Sequence, residues 1–221
     1  MRSVALILYG ISGMCLLALE TIWIRSLGLQ VGGTALASAL VLVVFFLCAA
    51  AGNLAGAALC RRVVRPFAAY GLCEVLTALS TAGLFALHSR FTGLLGPAGP
   101  TTPGSLAGDA LFVAALAGLP SFLAGVSFPL LSAALVSRVD ERTRHTGAAY
   151  AGNLLGAGLG IILGGVVLPA ALGYTLSLVL ACALLGLEGV VAIIFDRRTK
   201  AAGLMGQNRK PEIRKKLRAR W

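Results

Sequence analysis

Charged residues are scarce in this chain, and their scarcity argues against most soluble classes of protein. Asp, Glu, Lys and Arg make up 12% of the 221 residues, whereas soluble domains carry about 25%. Hydrophobic residues make up 58% of the chain. Because too little polar surface remains to cover a globule in water, the composition disfavours a soluble enzyme, a disordered tail and a disulfide-rich secreted module.

Cysteine and histidine are too few and too scattered to indicate a metal site. The five cysteines lie in or at the ends of apolar runs at irregular spacing, and neither a CxxC pair nor a His/Cys cluster occurs. We interpret them as small packing residues in helices. A glycine-rich nucleotide-binding turn after a strand is also lacking. No metal and no cofactor are therefore expected.

Long apolar runs are what the chain has in abundance. A membrane-spanning helix needs about 20 apolar residues, and six runs qualify. They cover about residues 4–24, 35–60, 67–87, 106–136, 148–170 and 175–194. The sequence thus predicts an all-α polytopic membrane protein. Its six-helix transmembrane domain covers residues 1–196, and a basic tail covers residues 197–221.

The positions of Lys and Arg predict the orientation of these spans. An even number of spans places both termini on one side, and 17 of the 19 Lys and Arg residues fall on that side. Only Arg25 and Arg90 fall on the other. The positive-inside rule therefore places both termini in the cytoplasm. The first run is not expected to be a cleaved signal peptide, because Glu20, Trp23 and Arg25 occupy the place of a small-residue cleavage site.

A seven-residue motif occurs twice. AGNLAGA at residues 51–57 in the second span matches AGNLLGA at residues 151–157 in the fifth. Both Asn53 and Asn153 then lie near the predicted cytoplasmic face, on oppositely directed helices. An inverted 3+3 repeat predicts this placement. Chance is the alternative, because Ala, Gly and Leu are abundant here.

Glycines at four-residue spacing predict close packing between helices, since they let backbones approach each other in lipid. The glycines are Gly52 and Gly56 in the second span, and Gly152, Gly156, Gly160 and Gly164 in the fifth. Pro120 and Pro129 remove backbone donors and are expected to bend the fourth span. Bent helices line cavities in transporters, and they also occur in membrane helices without a transport function.

Three acids fall inside predicted spans: Glu20, Glu74 and Glu188. A carboxylate in the bilayer is costly and is a functional candidate by default. At about 1.5 Å per helical residue, Glu74 and Glu188 lie roughly 12 Å from the cytoplasmic end. Asn53 and Asn153 share that layer, whereas Glu20 lies near the outer face.

Two interpretations of these polar residues stay open. In the first, the layer is a cytoplasm-facing acidic cavity that binds a cation or relays a proton. In the second, Glu74 and Glu188 are protonated packing groups, hydrogen-bonded to Asn or to the backbone. Glu20 then pairs with Arg25, or reaches the interface beside Trp23 in an aromatic belt.

The positive charge is concentrated in the tail. Residues 197–221 hold ten Lys or Arg and one acid. Pro211 could open an amphipathic helix over residues 211–221 that lies on anionic lipid. The expected contacts with lipid or a partner come from Arg214, Lys215, Lys216, Arg218 and Trp221. A disordered tail and the docking of an acidic soluble partner are the alternatives, and nucleic-acid binding is not expected.

Several segments, in order, carry a family resemblance. They are SGMCLLALETIWIR at residues 12–25, PSFLAGVSFPLL at 120–131, GAAYAGNLLGAGLG at 147–160 and LPAALG at 168–173. Over about residues 9–195 the chain resembles the membrane domain of bacterial membrane-bound spermidine synthase-like (polyamine aminopropyltransferase-like) proteins. The resemblance implies a fold like half of a major facilitator transporter in the bacterial inner membrane. It also implies a cytoplasmic catalytic domain after the last helix.

The chain departs from that family in two ways. The catalytic half is missing from the 221 residues, so no catalytic residue is assigned and the chain is not expected to be an enzyme by itself. The segment Gly56–Arg62 is similar to the facilitator loop motif, but Cys60 stands where that motif usually has an aspartate. The charge-relay role of that loop is therefore unsupported.

Three functions are compatible with these observations. The first is a membrane module that anchors or serves a separately encoded cytoplasmic spermidine synthase-like enzyme and binds a cationic small molecule in its bundle. The second is a structural subunit of a larger membrane complex, which the glycine spacing suits. The third is a polyamine or proton-coupled transporter formed as a homodimer of two half-transporters.

Overall fold

Helices account for nearly all of the chain that the computed structural model describes, which is residues 2–30, 35–95, 106–135 and 142–218. The helices are α1 (Arg2–Gln30), α2 (Ala35–Leu59), α3 (Pro66–Leu95), α4 (Leu106–Val113), α5 (Leu119–Leu135), α6 (Arg142–Ile162) and α7 (Leu168–Arg218). Within these ranges only the turn at residues 60–65 lies outside a helix, and no strand occurs. The predicted all-helical class is therefore confirmed.

Five helical stretches are long and apolar enough to cross a membrane. They are Ser3–Leu27, Ser38–Leu59, Pro66–Arg90, Ala107–Leu135 and Gly147–Thr199. The first four agree with the first four predicted spans to within a few residues. The fifth covers both the fifth and the sixth predicted spans. Several membrane-spanning helices are thus supported, whereas the number six stays a prediction.

The fifth stretch is interrupted at Gly173. This residue has a φ of 75° and a ψ of 167°, which is not helical. Glycine adopts a positive φ without the steric cost that a side chain would bring. The stretch is 53 residues long, and an unbroken helix of that length would extend roughly 80 Å. The hydrocarbon core of a bilayer is only about 30 Å thick.

Two π-helical turns join neighbouring helices. Ala114–Gly118 joins α4 to α5, and Leu163–Val167 joins α6 to α7. Pro120 lies directly after the first of these turns, so the irregularity expected from its missing donor is found there. Pro129, by contrast, lies inside α5, which continues as a helix on both sides of it.

Glycines bring α1 against α6 and α2 against α5. A Cβ atom added at Gly156 would overlap the carbonyl oxygen of Gly10 in α1, and one added at Gly160 would overlap that of Met14. Farther along α1, Gly164 abuts Ala18. In the second pair, Gly52 and Gly56 of α2 face the backbone of Phe122 and Val126 in α5. Direct backbone contact of this kind replaces hydrophobic drive between helices in lipid.

Glycine-mediated backbone contact also joins α3 to α7. A Cβ atom at Gly71 would overlap the carbonyl oxygen of Gly189, and a Cβ atom at Gly189 would lie 2.5 Å from the carbonyl oxygen of Gly71. The contact is therefore reciprocal. Near the turn, Arg65 also pairs with Asp196 of α7, with a distance of 2.7 Å between Nη2 and Oδ2. This ion pair ties the start of α3 to the same helix.

The buried apolar residues form two clusters separated by polar positions. The turn-side cluster, nearer residues 60–65, includes Leu8, Tyr9, Phe67, Tyr70, Cys73, Leu130, Leu131 and Ala192. The far cluster includes Cys15, Leu19, Ile22, Trp23, Val41, Ala78 and Leu185. Ser12 of α1, Glu74 of α3 and Glu188 of α7 each fall between the two clusters along their own helix. A buried polar layer therefore crosses the bundle.

We expect Gly156→Ala to destabilise the protein, because the added methyl group would overlap the Gly10 carbonyl oxygen. Overpacking of this kind costs about 1–3 kcal/mol. Gly158→Ala is the matched control, since nothing lies within 4 Å of a methyl group at that position. Size-exclusion chromatography after heating in detergent measures both apparent melting temperatures. Equal values for the two variants would contradict the α1–α6 contact.

Candidate functional site

Two buried carboxyl groups meet where α3 and α7 approach most closely. Glu74 is 0% exposed and Glu188 is 3% exposed. A Cβ atom at Gly189, next to Glu188, would lie 3.0 Å from the Cβ atom of Glu74. The two side chains are close enough to interact electrostatically. We call Glu74 and Glu188 the acid pair.

The acid pair has only one hydrogen bond to the side chains that the structure describes. The Tyr70 hydroxyl donates to Oε1 of Glu188 over 2.7 Å. Oε2 of Glu188 and both carboxyl oxygens of Glu74 are buried without a donor from the described residues. A buried carboxylate without donors or a counter-charge is costly, because it has lost its hydration and gained nothing in return.

Two serines face Glu74 without satisfying it. The side chains of Ser12 and Ser127 lie beside its carboxyl group. The Ser127 hydroxyl donates instead to the carbonyl oxygen of Ala124 over 2.8 Å. The Ser12 hydroxyl is buried and has no hydrogen-bond partner in the described part of the chain. Polar groups thus surround the pair while leaving most of its acceptor atoms unused.

No basic side chain compensates the pair within the described residues. The ion pair found there joins Arg65 to Asp196, and it does not involve either acid. Among the described residues, no group of three or more His, Cys, Asp or Glu side chains could hold a metal ion. Among the described residues, the acid pair therefore has no basic side chain to neutralise it.

The predicted four-residue layer of acids and asparagines is divided into two parts. Asn153 donates from Nδ2 to the carbonyl oxygen of Tyr9 over 3.0 Å, and Asn53 is exposed. Both asparagines line an open pocket of about 360 Å³ between α1, α2, α5 and α6. The acid pair does not line it. One interpretation of the sequence is that the acids are hydrogen-bonded to Asn. The described contacts show no such hydrogen bond, and the donor to Glu188 is Tyr70.

Ser127 connects the two parts. Its side chain lines the pocket and also lies beside the Glu74 carboxyl group. Tyr9 likewise lines the pocket, and its ring packs edge-on against Tyr70 with 6.2 Å between centroids. The pocket and the acid pair are thus separated by a thin wall of hydroxyl-bearing side chains.

Glu20 is also buried, but it stands apart from this site. It is 2% exposed, and neither carboxyl oxygen has a hydrogen-bond partner in the described part of the chain. The predicted pairing with Arg25 is wrong, because Arg25 donates to the Tyr174 hydroxyl over 3.3 Å. Trp23 packs in the far cluster rather than in an exposed aromatic belt. Glu20 therefore does not reach an interface.

Three residues of the site were not predicted from the sequence: Ser12, Tyr70 and Ser127. Tyr70 precedes Glu74 by one helical turn, so the spacing did place both on one face of α3. Nothing in the sequence marked the two serines, because single hydroxyls are common in membrane helices.

The backbone of the basic tail is helical in the part that the structure describes. Helix α7 continues through Pro211 to Arg218, and an amphipathic helix over residues 211–221 stays a prediction. The side-chain surroundings of Arg214, Lys215, Lys216 and Arg218 lie outside the described part of the chain, and so does all of Trp221. The expected contacts of these five residues with lipid or a partner stay predictions.

Comparison of the chain with family models, curated proteins and solved structures finds no match to any of them. Its function is therefore argued from the site itself.

We expect Tyr70→Phe to lower stability by about 1 kcal/mol or more, because Glu188 then loses its only described donor. Tyr150→Phe is the matched control, since its ring is 53% exposed and its hydroxyl makes no described hydrogen bond. Thermal unfolding in one detergent compares the two variants with the wild type. A melting temperature for Tyr70→Phe equal to that of the control would show that the hydrogen bond does not stabilise the protein.

Proposed function

We propose that this chain is an integral membrane module that binds a cation at the acid pair of Glu74 and Glu188. The observation behind this is that three buried carboxyl oxygens of the pair have neither a donor nor a counter-charge among the described residues. A bound cation supplies the missing positive charge. Intramembrane acids in this situation mark ion and proton pathways.

A purely structural role for the acid pair explains the site less well. A structural subunit would gain stability from apolar side chains of similar volume, because burying unpaired polar groups costs free energy. The presence of two adjoining acids beside the Gly71–Gly189 contact of α3 and α7 therefore supports ligand binding over packing. The cation is an inorganic monovalent ion or an organic amine, and polyamines fall in the second class.

We further propose six spans and an inverted repeat, like half of a facilitator transporter. The break at Gly173 supports division of the last stretch into two spans. The two copies of the repeated motif also make equivalent contacts with their partner helices. The contacts are Gly52–Phe122 and Gly56–Val126 in one copy, and Gly152–Leu6 and Gly156–Gly10 in the other. An inverted repeat produces such matched registers.

In this proposal the turn at residues 60–65 faces the cytoplasm of a bacterial inner membrane, because Arg61, Arg62 and Arg65 lie there. The basic tail lies on the same side and is available to a cytoplasmic partner. Service to a separately encoded spermidine synthase-like enzyme rests on the sequence resemblance and on this tail. Purification from mild detergent with no soluble enzyme attached would count against that partnership.

Glu74→Gln and Glu188→Gln test cation binding. We expect each variant to be about as stable as the wild type without ligand, because an amide of nearly the same size replaces a buried carboxyl group that has no described counter-charge. We expect sodium, potassium, ammonium or spermidine to raise the wild-type melting temperature, since a ligand that binds only the folded state stabilises it. The increase should disappear in both variants.

Asp109→Asn is the control for this experiment, because Asp109 is a half-buried carboxyl group on α4, apart from the acid pair. It should respond to cations as the wild type does. Cation responses that are identical in the wild type, Glu74→Gln and Glu188→Gln would refute the proposal.

A further inference from the structure

Five aromatic rings contribute to the lining of the pocket beside the acid pair. Its volume is about 360 Å³, and it lies between the glycine-sealed pairs α1–α6 and α2–α5. The aromatic residues lining it are Tyr9, Phe45, Phe46, Phe128 and Tyr150. Binding of a bare ion at the acid pair makes no use of these rings.

Three of the rings form a continuous wall. Phe128 stacks on Tyr9 with 5.9 Å between centroids and an interplanar angle of 25°. Tyr150 meets Phe128 edge-on, at 6.3 Å and 64°. Faces of aromatic rings attract cations through their negative electrostatic potential, and the attraction increases where water is excluded. An organic cation can therefore use both the apolar area and the ring faces.

The polar groups of the pocket are acceptors suited to N–H donors. Asn153 uses Nδ2 to reach the Tyr9 carbonyl oxygen, which leaves Oδ1 as an acceptor without a described donor. Asn53 adds a second amide at the exposed side. None of the described residues that line this pocket is basic. Beyond Ser127 lies the Glu74 carboxyl group, whose oxygens have no described hydrogen-bond partner.

We infer that this pocket binds a primary ammonium group on a short apolar chain, with the charged end directed toward Ser127 and Glu74. The inference rests on the proposed cation binding at the acid pair and names the ligand class. Two sources carry this chemistry: a soluble alkylamine and the ethanolamine headgroup of a phospholipid. Either one offers three N–H donors to amide oxygens and a cation to the ring faces.

Isothermal titration of the purified protein with n-butylammonium and with n-butanol tests the inference. Both probes have the same chain, and only the first is charged. We expect n-butylammonium to bind measurably and n-butanol to bind at least about tenfold more weakly, because only the cation gains from rings and acids. Equal binding of the two probes would overturn the inference.

Pocket variants provide the second measurement. Tyr150→Leu should weaken n-butylammonium binding by about fivefold to tenfold through the loss of a ring face. Tyr174→Leu is its control, because Tyr174 is also exposed and does not line this pocket. Asn53→Asp should tighten the binding, since it adds a negative charge at the exposed side. Unchanged affinity in Tyr150→Leu and Asn53→Asp would contradict the assignment even if all variants fold.

Nanodiscs separate the two sources of the ammonium group. If a lipid headgroup occupies the pocket, discs containing phosphatidylethanolamine should weaken n-butylammonium binding relative to discs of phosphatidylglycerol alone. If a soluble amine is the ligand, the two discs should give equal affinity.

The outcomes also distinguish this inference from the proposed function. If inorganic cations stabilise the protein through Glu74 and Glu188 while n-butylammonium does not bind, only the ligand class is wrong. If n-butylammonium binds equally to the wild type and to Glu74→Gln, the pocket acts without the acid pair.

Discussion

Close backbone contact between helices is the constraint on which the rest of this structure depends. Lipid is as apolar as the side chains it surrounds, so hydrophobic drive does not hold the helices together, and packing has to do so. Glycines supply that packing in α1–α6, α2–α5 and α3–α7. The third contact has a chemical consequence, because the mutual approach of Gly71 and Gly189 places Glu74 and Glu188 side by side.

The acid pair lies between two apolar clusters, and this position gives it its proposed properties. Apolar packing on both sides excludes water, so any charge at the pair is weakly screened. The Tyr70 hydroxyl satisfies one oxygen, and the other three have no partner among the described residues. The aromatic pocket lies on the other side of Ser127 from Glu74. A site of this kind selects ligands by charge first and by shape second.

The sequence predicted well how deep a residue lies in the bundle. It predicted poorly which way a side chain points around its helix. Counting residues along a helix placed Glu74 and Glu188 in one layer, because the rise per residue is constant. Which way a side chain points depends on the partner helix, so counting residues could not show that Asn53 and Asn153 line the pocket whereas the acids do not. Glu20 and Arg25 are five residues apart and so point about 140° apart on a helix. The predicted pairing of Glu20 with Arg25 did not take this angle into account. Hydropathy located the apolar stretches and could not reveal which helices touch.

Proton displacement tests the central claim most directly. Sodium, potassium and n-butylammonium would be added in turn to purified protein in weakly buffered detergent, with a pH indicator reporting released protons. If a cation and a proton compete for the acid pair, we expect at least one cation to release protons from the wild type and none to release them from the Glu74→Gln/Glu188→Gln double variant. If no cation releases protons from the wild type, no cation competes with a proton for the acid pair and the proposed function is wrong.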